Sequence, residues 1–438
     1  MKQLVWTRKT VVGASFLAIM AVLGTSQLVL SKASAQQAGK MAPRFEVDPL
    51  WPKAMPNNWV LGQAIGVAVD TRDHIWIVHR GSDAAALDGT ELAVPIRGGN
   101  AGKRVGECCN PSPPVMEFDQ AGNLVHAWGG PSPTGEYQWP TSNHGIAVDA
   151  EGFVYIGGNG AGDAHVLKFT RDGKFVAQWG KADARQVQGA AGAPDPLTGY
   201  AGVAPSGAAA ARPAVAYKAN SLDKTSFGRV AKIDLDEPAN EAYISDGYLN
   251  HRVAVVDRRT GQLKRSWGAY GKPPTDNVLP PYNPDAPVSQ QFGNPVHCSN
   301  VSNDGFVYVC DRINDRVQIF RKDGTFVREV FVARETLADG SVWDVDFSAD
   351  PQQRYLYLAD GVNEHVRVFD RRTMEELYTF GYGGRQPGMF LGLHSIAVDS
   401  KGNIYTTETY TGKRLQRFVF KGVGPVPKAN GAVAWPER

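Results

Sequence analysis

The stretch Asn143-His144-Gly-Ile-Ala-Val-Asp149, followed after a short polar turn by Phe153-Val-Tyr-Ile156, decides the fold. Both apolar runs have the length and the β-branched and aromatic content of strands, and Gly152 lies in the turn between them. The same arrangement returns at His297, before the strand Phe306-Val-Tyr-Val309, and at His394, before Ile404-Tyr405. A strand–turn–strand unit that recurs with a histidine at its start indicates a repeat protein.

Each unit continues with a second pair of strands, and the last strand often ends in Trp-Gly. The first pairs are predicted at Gly66–Arg80, His144–Gly158, Val230–Gly247, His297–Arg312, Val342–Gly361 and His394–Thr409. The second pairs are predicted at Val115–Gly129, Val166–Gly180, Val253–Gly268, Val317–Phe331, Val366–Gly381 and Leu415–Lys421. Six units of four strands are typical of a β-propeller. The predicted fold class is therefore all-β, a six-bladed β-propeller of four-stranded blades.

The sixth unit is short of an outer strand after Phe420, whereas the strand-like stretch Arg44-Phe-Glu-Val-Asp48 precedes the first unit. We expect the two ends of the chain to pair and close the ring, because closure removes exposed sheet edges. Two inserts interrupt the repeat, at about 82–113 and 181–226. The second insert is rich in Ala, Gly and Pro and is predicted to be a flexible loop without a core. Residues 36–438 are thus expected to form one domain.

The composition is that of an ordinary globular protein, with 438 residues, 42% hydrophobic and 21% charged. A net charge of only +2 gives no nucleic-acid footprint. Residues 1–35 are predicted to be a signal peptide, because Lys2 and Arg8 precede an apolar run and Ala33-Ser34-Ala35 is a cleavage motif. The alternative is an uncleaved membrane anchor. We expect a periplasmic or secreted monomer without a membrane span after signal removal.

Export would permit disulfides. Cys298 and Cys310 flank a turn almost symmetrically and would face each other in a hairpin, so a cross-strand disulfide and two buried thiols are both compatible with the sequence. Cys108 and Cys109 are adjacent and are not expected to bond easily to each other. The sequence leaves open whether they pair elsewhere or stay free.

The three histidines belong to units two, four and six. In a propeller the first strand of each blade lines the central channel, and alternate blades of six lie about 120° apart. His144, His297 and His394 would therefore point at one axial spot, and Ile65 is the equivalent point in unit one. Three imidazoles with an open fourth side suit a catalytic divalent metal, and zinc is the preferred ion. The alternative is that these histidines merely fill turns between blades.

Two further polar residues follow from the same repeat. Arg80 ends the second strand of unit one, and Tyr248 follows the second strand of unit three. Arg80 could hold a carboxylate or stabilise developing negative charge. A Tyr hydroxyl near a divalent cation should have a lowered pKa and could act as a base.

Asp and Asn residues at the strand ends have a structural explanation. Asp311, Asn314 and Arg316 are expected to bond the turn backbone and to pair between neighbouring strands, and Asp246, Asn250 and Arg252 should do the same. The segment 311–320, Asp-Arg-Ile-Asn-Asp-Arg-Val-Gln-Ile-Phe, resembles an NHL repeat. NHL repeats alone say little about function.

From about Gly62 to Phe420, apart from the inserts, the chain resembles peptidyl-α-hydroxyglycine α-amidating lyases and their bacterial single-domain relatives. The specific matches are His79-Arg80-Gly81, the His144 strand, Ser245-Asp-Gly-Tyr-Leu-Asn250, and the pair His297 and His394. The resemblance implies that the three histidines bind zinc and that Arg80 and Tyr248 are the catalytic pair. It implies cleavage of the C–N bond of a carbinolamide to a primary amide and glyoxylate.

The resemblance also implies a peptide or small-molecule substrate and a structural calcium ion. The animal enzyme has an Asp directly after the third histidine that helps to hold calcium, and Ser395 stands there in this chain, which argues against that ion. Two other function classes are alternatives to a lyase. A metal-dependent lactonase or esterase would centre its metal on carboxylates and Asn. A non-enzymatic NHL propeller would bind protein or glycan and hold no metal tightly.

Overall fold

Six four-stranded antiparallel sheets follow one another along the chain and form the blades of a β-propeller, as predicted. The computed structural model describes residues 39–81, 87, 91–94, 99, 103, 105–191 and 215–427. The strands, in chain order, are β1 Met41–Asp48, β2 Trp59–Val60, β3 Gln63–Val69, β4 Ile75–Arg80, β5 Asn110–Pro111, β6 Val115–Phe118, β7 Leu124–Trp128, β8 Asn143–Val148, β9 Val154–Gly158, β10 His165–Phe169, β11 Phe175–Gly180, β12 Gln186–Ala191, β13 Val215–Tyr217, β14 Val230–Asp236, β15 Glu241–Asp246, β16 Arg252–Asp257, β17 Leu263–Trp267, β18 Val296–Val301, β19 Phe306–Asp311, β20 Arg316–Arg321, β21 Phe326–Phe331, β22 Asp344–Phe347, β23 Tyr355–Asp360, β24 His365–Asp370, β25 Glu375–Phe380, β26 Leu393–Val398, β27 Ile404–Glu408 and β28 Arg414–Pro425. Two 3-10 helices occupy Ala269–Gly271 and Arg312–Asn314.

The innermost strands of the blades are β3, β8, β14, β18, β22 and β26. Each of them contacts the innermost strand of the next blade, and β26 contacts β3, so the six strands surround the axis as a closed ring. The hydrophobic core is divided among the interfaces between adjacent blades. Trp76 and Val78 of blade 1, for example, pack with Ile146 and Phe169 of blade 2. Burial of apolar surface between blades is what keeps the inner strands in place.

The ends of the chain close the ring, as predicted. Strand β1 pairs antiparallel with β28, and Phe45 lies opposite Phe420. Phe45 is buried and its ring contacts those of Tyr357, Phe380 and Phe420. Blade 6 therefore consists of β26, β27, β28 and β1, and the earliest described strand seals the last blade.

The polar residues at the strand ends have the structural roles predicted for them. Arg316 Nε donates to Asp311 at 2.7 Å, and Asn314 donates to the same carboxylate. In blade 3, Arg252 and Asn250 both donate to Asp246 at 2.8 Å. These carboxylates are buried and fully engaged, so they fix the turns that carry the strand ends.

Two expectations about the inserts and cysteines need correction. The described ends of the second insert are not structureless, because β12 and β13 pair antiparallel. Cys108 and Cys109, expected not to bond easily, form a disulfide with each other. Cys298 and Cys310 lie opposite each other in the β18–β19 hairpin and are also bonded, as one of the two alternatives foresaw.

The predicted signal peptide, residues 1–35, lies outside the described residues. Among the residues that are described, none belongs to a helix with the length and apolarity needed to cross a bilayer.

Candidate metal centre

Each of the three histidines lies at a β-bulge at the start of an innermost strand. The pairing register shifts at His144 in β8, at His297 in β18 and at His394 in β26. It shifts at the equivalent points of blades 1 and 3, occupied by Ile65 and Ala231. A bulge bends the strand and re-aims the side chain of the extra residue. The sequence places the histidines at these points, and the bulges explain why they turn towards the channel.

The three imidazoles form a nearly equilateral triangle. Their ring centroids are 5.1 Å apart for His144 and His297, 4.8 Å for His144 and His394, and 4.9 Å for His297 and His394. One ligand nitrogen from each ring lies within 4.8 Å of the other two. All three side chains are almost fully buried. The predicted convergence on one spot is what the folded chain shows.

A backbone carbonyl orients each imidazole. His144 Nδ1 donates to Ala231 O at 2.6 Å, His394 Nδ1 donates to Ile65 O at 2.7 Å, and His297 Nδ1 donates to Trp343 O. Because a carbonyl only accepts, each Nδ1 carries the hydrogen and each Nε2 keeps its lone pair. A carbonyl behind a ligating histidine is the usual means of fixing its tautomer.

The three rings are uncharged at neutral pH. Burial holds the pKa of His144, His297 and His394 well below the ordinary value, and neighbouring positive groups, among them Arg80 and Arg312, lower it further. Neutral imidazoles with converging Nε2 lone pairs are the donor set that zinc and similar divalent ions prefer. The residues present therefore fit a metal ion with three protein ligands.

Tyr248 lies over the same triangle. Its hydroxyl oxygen is 2.9 Å from His144 Nε2 and 3.0 Å from His297 Nε2, and the side chain is buried. A phenol has one hydrogen, so it can satisfy only one of these two lone pairs. Burial raises the pKa of the phenol, whereas the charges of Arg312 and Arg80 act in the opposite direction. Tyr248 therefore lies within hydrogen-bond distance of two of the three histidines.

Arg312 belongs to the site, and the sequence reading missed it. Its guanidinium donates to the Tyr248 hydroxyl at 3.2 Å and lies over the Trp343 ring, 4.5 Å from the centroid. It also donates to Asp339, whose second carboxylate oxygen accepts from Tyr410 at 3.0 Å. Arg312 lies within the NHL-like stretch 311–320, for which the sequence predicts only structural roles. The sequence does contain a signal, because the position equivalent to Arg312 is Gly247 in blade 3 and Gly361 in blade 5.

Arg80 lies at the same end of the propeller, where β4 finishes. Its guanidinium donates to Asn143 O at 3.2 Å, to Gln63 Oε1 at 3.0 Å and to Asn159 Oδ1 at 2.8 Å. The structure thus anchors Arg80 beside the histidine-bearing strand β8, and its charge reaches His144 and His394. Each of these three hydrogen bonds goes to a neutral oxygen, and together they fix the guanidinium beside β8.

We call the end of the propeller where β8, β18 and β26 begin the upper mouth. Because the strands of a blade alternate in direction, the second strand ends there and the third begins there. The connections from β4 to β6 and from β11 to β14 carry the two inserts, so both inserts attach to the upper mouth. The described ends of both inserts are therefore at the same end of the propeller as the histidines, Tyr248, Arg80 and Arg312.

The channel below the histidines holds a second set of charged groups. Lys232 forms an ion pair with Asp344, and the half-buried Asp234 and Asp346 lie beside them. Ser395 is buried with its hydroxyl 3.3 Å from His394 Nδ1. The ammonium group of Lys232 thus lies against the carboxylates of the channel.

A second cluster with metal-binding residue types lies at the opposite mouth. Asp70, His74 and Glu117 offer ligand atoms within 4.8 Å of one another. The guanidinium of Arg171 lies between the two carboxylates and bonds to both. A side-chain cation therefore fills this cluster, unlike the histidine triangle.

Fold and site together define a class of protein: a six-bladed all-β propeller with a buried triangle of neutral histidines at one mouth. No protein-family model matches the chain, and no curated protein matches it. A solved structure of streptogramin B lyase is similar to it, with a TM-score of 0.46 and 10% sequence identity, over 88% of this chain and 99% of that chain. This similarity does not bear on the reaction.

Proposed function

We propose that the chain is a zinc-dependent carbon–nitrogen lyase that splits a peptidyl-α-hydroxyglycine or a similar carbinolamide into a primary amide and glyoxylate. The observation that carries the proposal is the convergence of three lone-pair Nε2 atoms, each fixed by a carbonyl, beneath the Tyr248 hydroxyl. His144, His297 and His394 would hold the ion. When bound, it would supply Lewis acidity that lowers the pKa of the substrate hydroxyl.

The reaction needs a group that removes the hydroxyl proton. The oxygen of Tyr248 is the candidate base, because it lies within hydrogen-bond distance of two ligand nitrogens and so next to any hydroxyl bound there. As the O–H proton leaves, the carbonyl of glyoxylate forms and the C–N bond breaks. The electron pair goes to nitrogen, which takes up a proton to give the primary amide, so no oxidant or reductant is needed.

Tyr248 works as a base only if its phenolate is accessible. Burial opposes ionisation, but Arg312 donates to the phenol oxygen at 3.2 Å and stabilises the negative form. The arginine is itself held by Asp339 and by the face of Trp343. Arg312 is therefore a positioning and charge-stabilising partner of Tyr248 in this proposal.

Arg80 is the candidate for contact with the substrate's own charge. Its guanidinium is anchored at the upper mouth by hydrogen bonds to three neutral oxygens. It could pair with the carboxylate of the hydroxyglycine or stabilise the charge that develops on the departing amide. The proposal includes export from the cytoplasm, in keeping with the Cys298–Cys310 disulfide.

Metal content is the first test. The mature protein, purified without chelator or metal-affinity tag, should contain about one zinc per chain by mass spectrometry, as a three-ligand site allows. His297→Ala should lose the zinc. His365→Ala should keep it, because His365 donates to Gly381 O outside the triangle.

The second half of the test is glyoxylate release from N-acetyl-Ala-α-hydroxyglycine. Zinc and glyoxylate release should disappear together in His297→Ala and persist in His365→Ala. Folded wild-type protein that holds no metal and releases no glyoxylate would overturn the proposal.

A further inference from the structure

A cavity of about 490 Å³ opens at the upper mouth beside Arg80. Arg80 and Asn143 line its inner end, next to His144. Tyr137 and Trp139 line its side, and Ala182 and Asp183, at the beginning of the second insert, line its outer end. Its volume falls within the range of about 300–1,000 Å³ that is usual for small-molecule sites. The cavity therefore lies between blades 1 and 2 and shares Arg80 with the surroundings of the histidine triangle.

The side of the cavity is a pre-formed aromatic wall. The Tyr137 ring contacts Phe169 and Phe175, each with a centroid separation of 5.1 Å. Trp139 lies 5.9 Å from Phe169 and 6.4 Å from Tyr137. Both wall residues are half-buried, so packing holds one side of each ring and leaves the other available. Rings already fixed in place bind an aromatic group with little loss of side-chain freedom.

We propose that this cavity is the subsite for the residue that precedes the hydroxyglycine, and that it selects an aromatic side chain there. The inference rests on the proposed function for the identity of the reacting end. The aromatic side chain lies against Trp139 and Tyr137. The acyl carbonyl then meets Arg80 at the inner end, which assigns Arg80 to the departing amide.

Binding of unreactive peptides tests the subsite without turnover. N-acetyl-Phe-Gly and N-acetyl-Ala-Gly lack the hydroxyl and cannot be split, so calorimetry on the zinc-loaded protein measures affinity alone. We expect the Phe peptide to bind about 10-fold or more tightly than the Ala peptide. Trp139→Ala should remove that preference and leave the Ala peptide unchanged. Tyr382→Ala, an exposed aromatic on the same mouth outside the cavity, should preserve it.

A second variant guards against a folding defect in Trp139→Ala. Ala182→Trp adds bulk at the half-buried outer end of the cavity and should weaken the Phe peptide selectively. Equal affinity of the wild-type protein for the two peptides would overturn the subsite, and so would equal weakening of both peptides by Ala182→Trp.

Turnover separates the subsite from the reaction. Selective binding of the Phe peptide without glyoxylate release from N-acetyl-Phe-α-hydroxyglycine would keep the subsite and reject the lyase. Release at equal kcat/KM from the Phe and Ala hydroxyglycine substrates would keep the lyase and reject the subsite.

Discussion

His394 Nδ1 donates to the carbonyl oxygen of Ile65 at 2.7 Å, although 329 positions separate the two residues in the chain. Ile65 is the blade 1 counterpart of the histidine. The same relationship joins His144 to Ala231 and His297 to Trp343. Even-numbered blades thus supply the imidazoles, and the following odd-numbered blade supplies the carbonyl that orients each one. The six equivalent positions work as three pairs across blade boundaries.

Tyr248→Phe should separate metal binding from turnover. The ring remains and keeps its contact with His144, at a centroid distance of 4.9 Å, so the zinc content should not change. Glyoxylate release should fall by about 10²- to 10⁴-fold, the usual contribution of a general base. Tyr282→Phe is a matched control, because that hydroxyl donates to Arg334 O away from the site. Full activity of Tyr248→Phe would show that the proposed base is wrong.

Arg312→Gln should lower kcat by about 10²- to 10³-fold, because it removes a charged donor from the Tyr248 oxygen. The zinc content should stay near that of the wild-type protein, since Arg312 is not one of the three ligands. Arg334→Gln changes an arginine that donates to Pro284 O and should leave the rate unaltered. If both variants turn over normally, Arg312 has no part in the reaction.

The buried carboxylates of the channel predict a pH-dependent stability. Burial, together with the negative charges of Asp234 and Asp344, raises the pKa of Asp346 to about 7 against the opposing charge of Lys232. A carboxyl with a raised pKa in the folded state retains a proton that the unfolded chain has lost. It stabilises the fold fully only below about pH 4, and that stabilisation is lost as pH rises through 7. Each such proton makes the unfolding free energy fall by about 1.4 kcal/mol per pH unit in this window.

Asp346→Asn removes one of these protons. The slope of unfolding free energy against pH between 5 and 6.5, measured by urea denaturation, should become less negative by about 1.4 kcal/mol per pH unit. The slope is the informative quantity, because the amide alters the bonds from Phe347 and Val398 at every pH. Asp323→Asn, in an exposed turn, is the control and should leave the slope unchanged. An unchanged slope in Asp346→Asn would mean that this carboxyl is ionised throughout.

Phe45→Ala should weaken the closure of the ring. The Phe45 ring is buried against Tyr357, Phe380 and Phe420, and truncation of such a residue costs about 3–5 kcal/mol. Met41→Ala, in the same strand but 47% exposed, should cost less than about 1 kcal/mol. Denaturant midpoints of the two variants provide the comparison. Similar midpoints would contradict the role given to Phe45.

The sequence was sufficient for the fold and the histidines because both repeat. Strand pairs and turns recur six times, and the closing stretch Arg44–Asp48 was identified as the strand missing from the last unit. His144, His297 and His394 were found from their shared place in the repeat. A repeat position fixes the direction in which its side chain points. The convergence of three histidines that are far apart in the chain was therefore predictable from the sequence.

What the sequence could not supply were features that depend on neighbouring blades. Arg312 reaches Tyr248 only because blades 3 and 4 are adjacent, so the difference from Gly247 and Gly361 at the equivalent positions marks the residue but does not reveal its partner. The carbonyl partners of the histidines are backbone atoms and leave no trace in side-chain identity. The Cys108–Cys109 bond and the β12–β13 pair lie in the inserts, which are outside the repeat, so the repeat could not predict them.

The pairing of β1 with β28 also sets an order of events during synthesis. Ile65 is synthesised early, and its carbonyl oxygen can accept from His394 only after more than 300 further residues have been made. A partly synthesised chain can present two of the three ligands, but it lacks the third imidazole and the sealed ring. The histidine triangle is thus completed last, and a chain cut short before blade 6 would lack His394 and with it one of the three proposed zinc ligands.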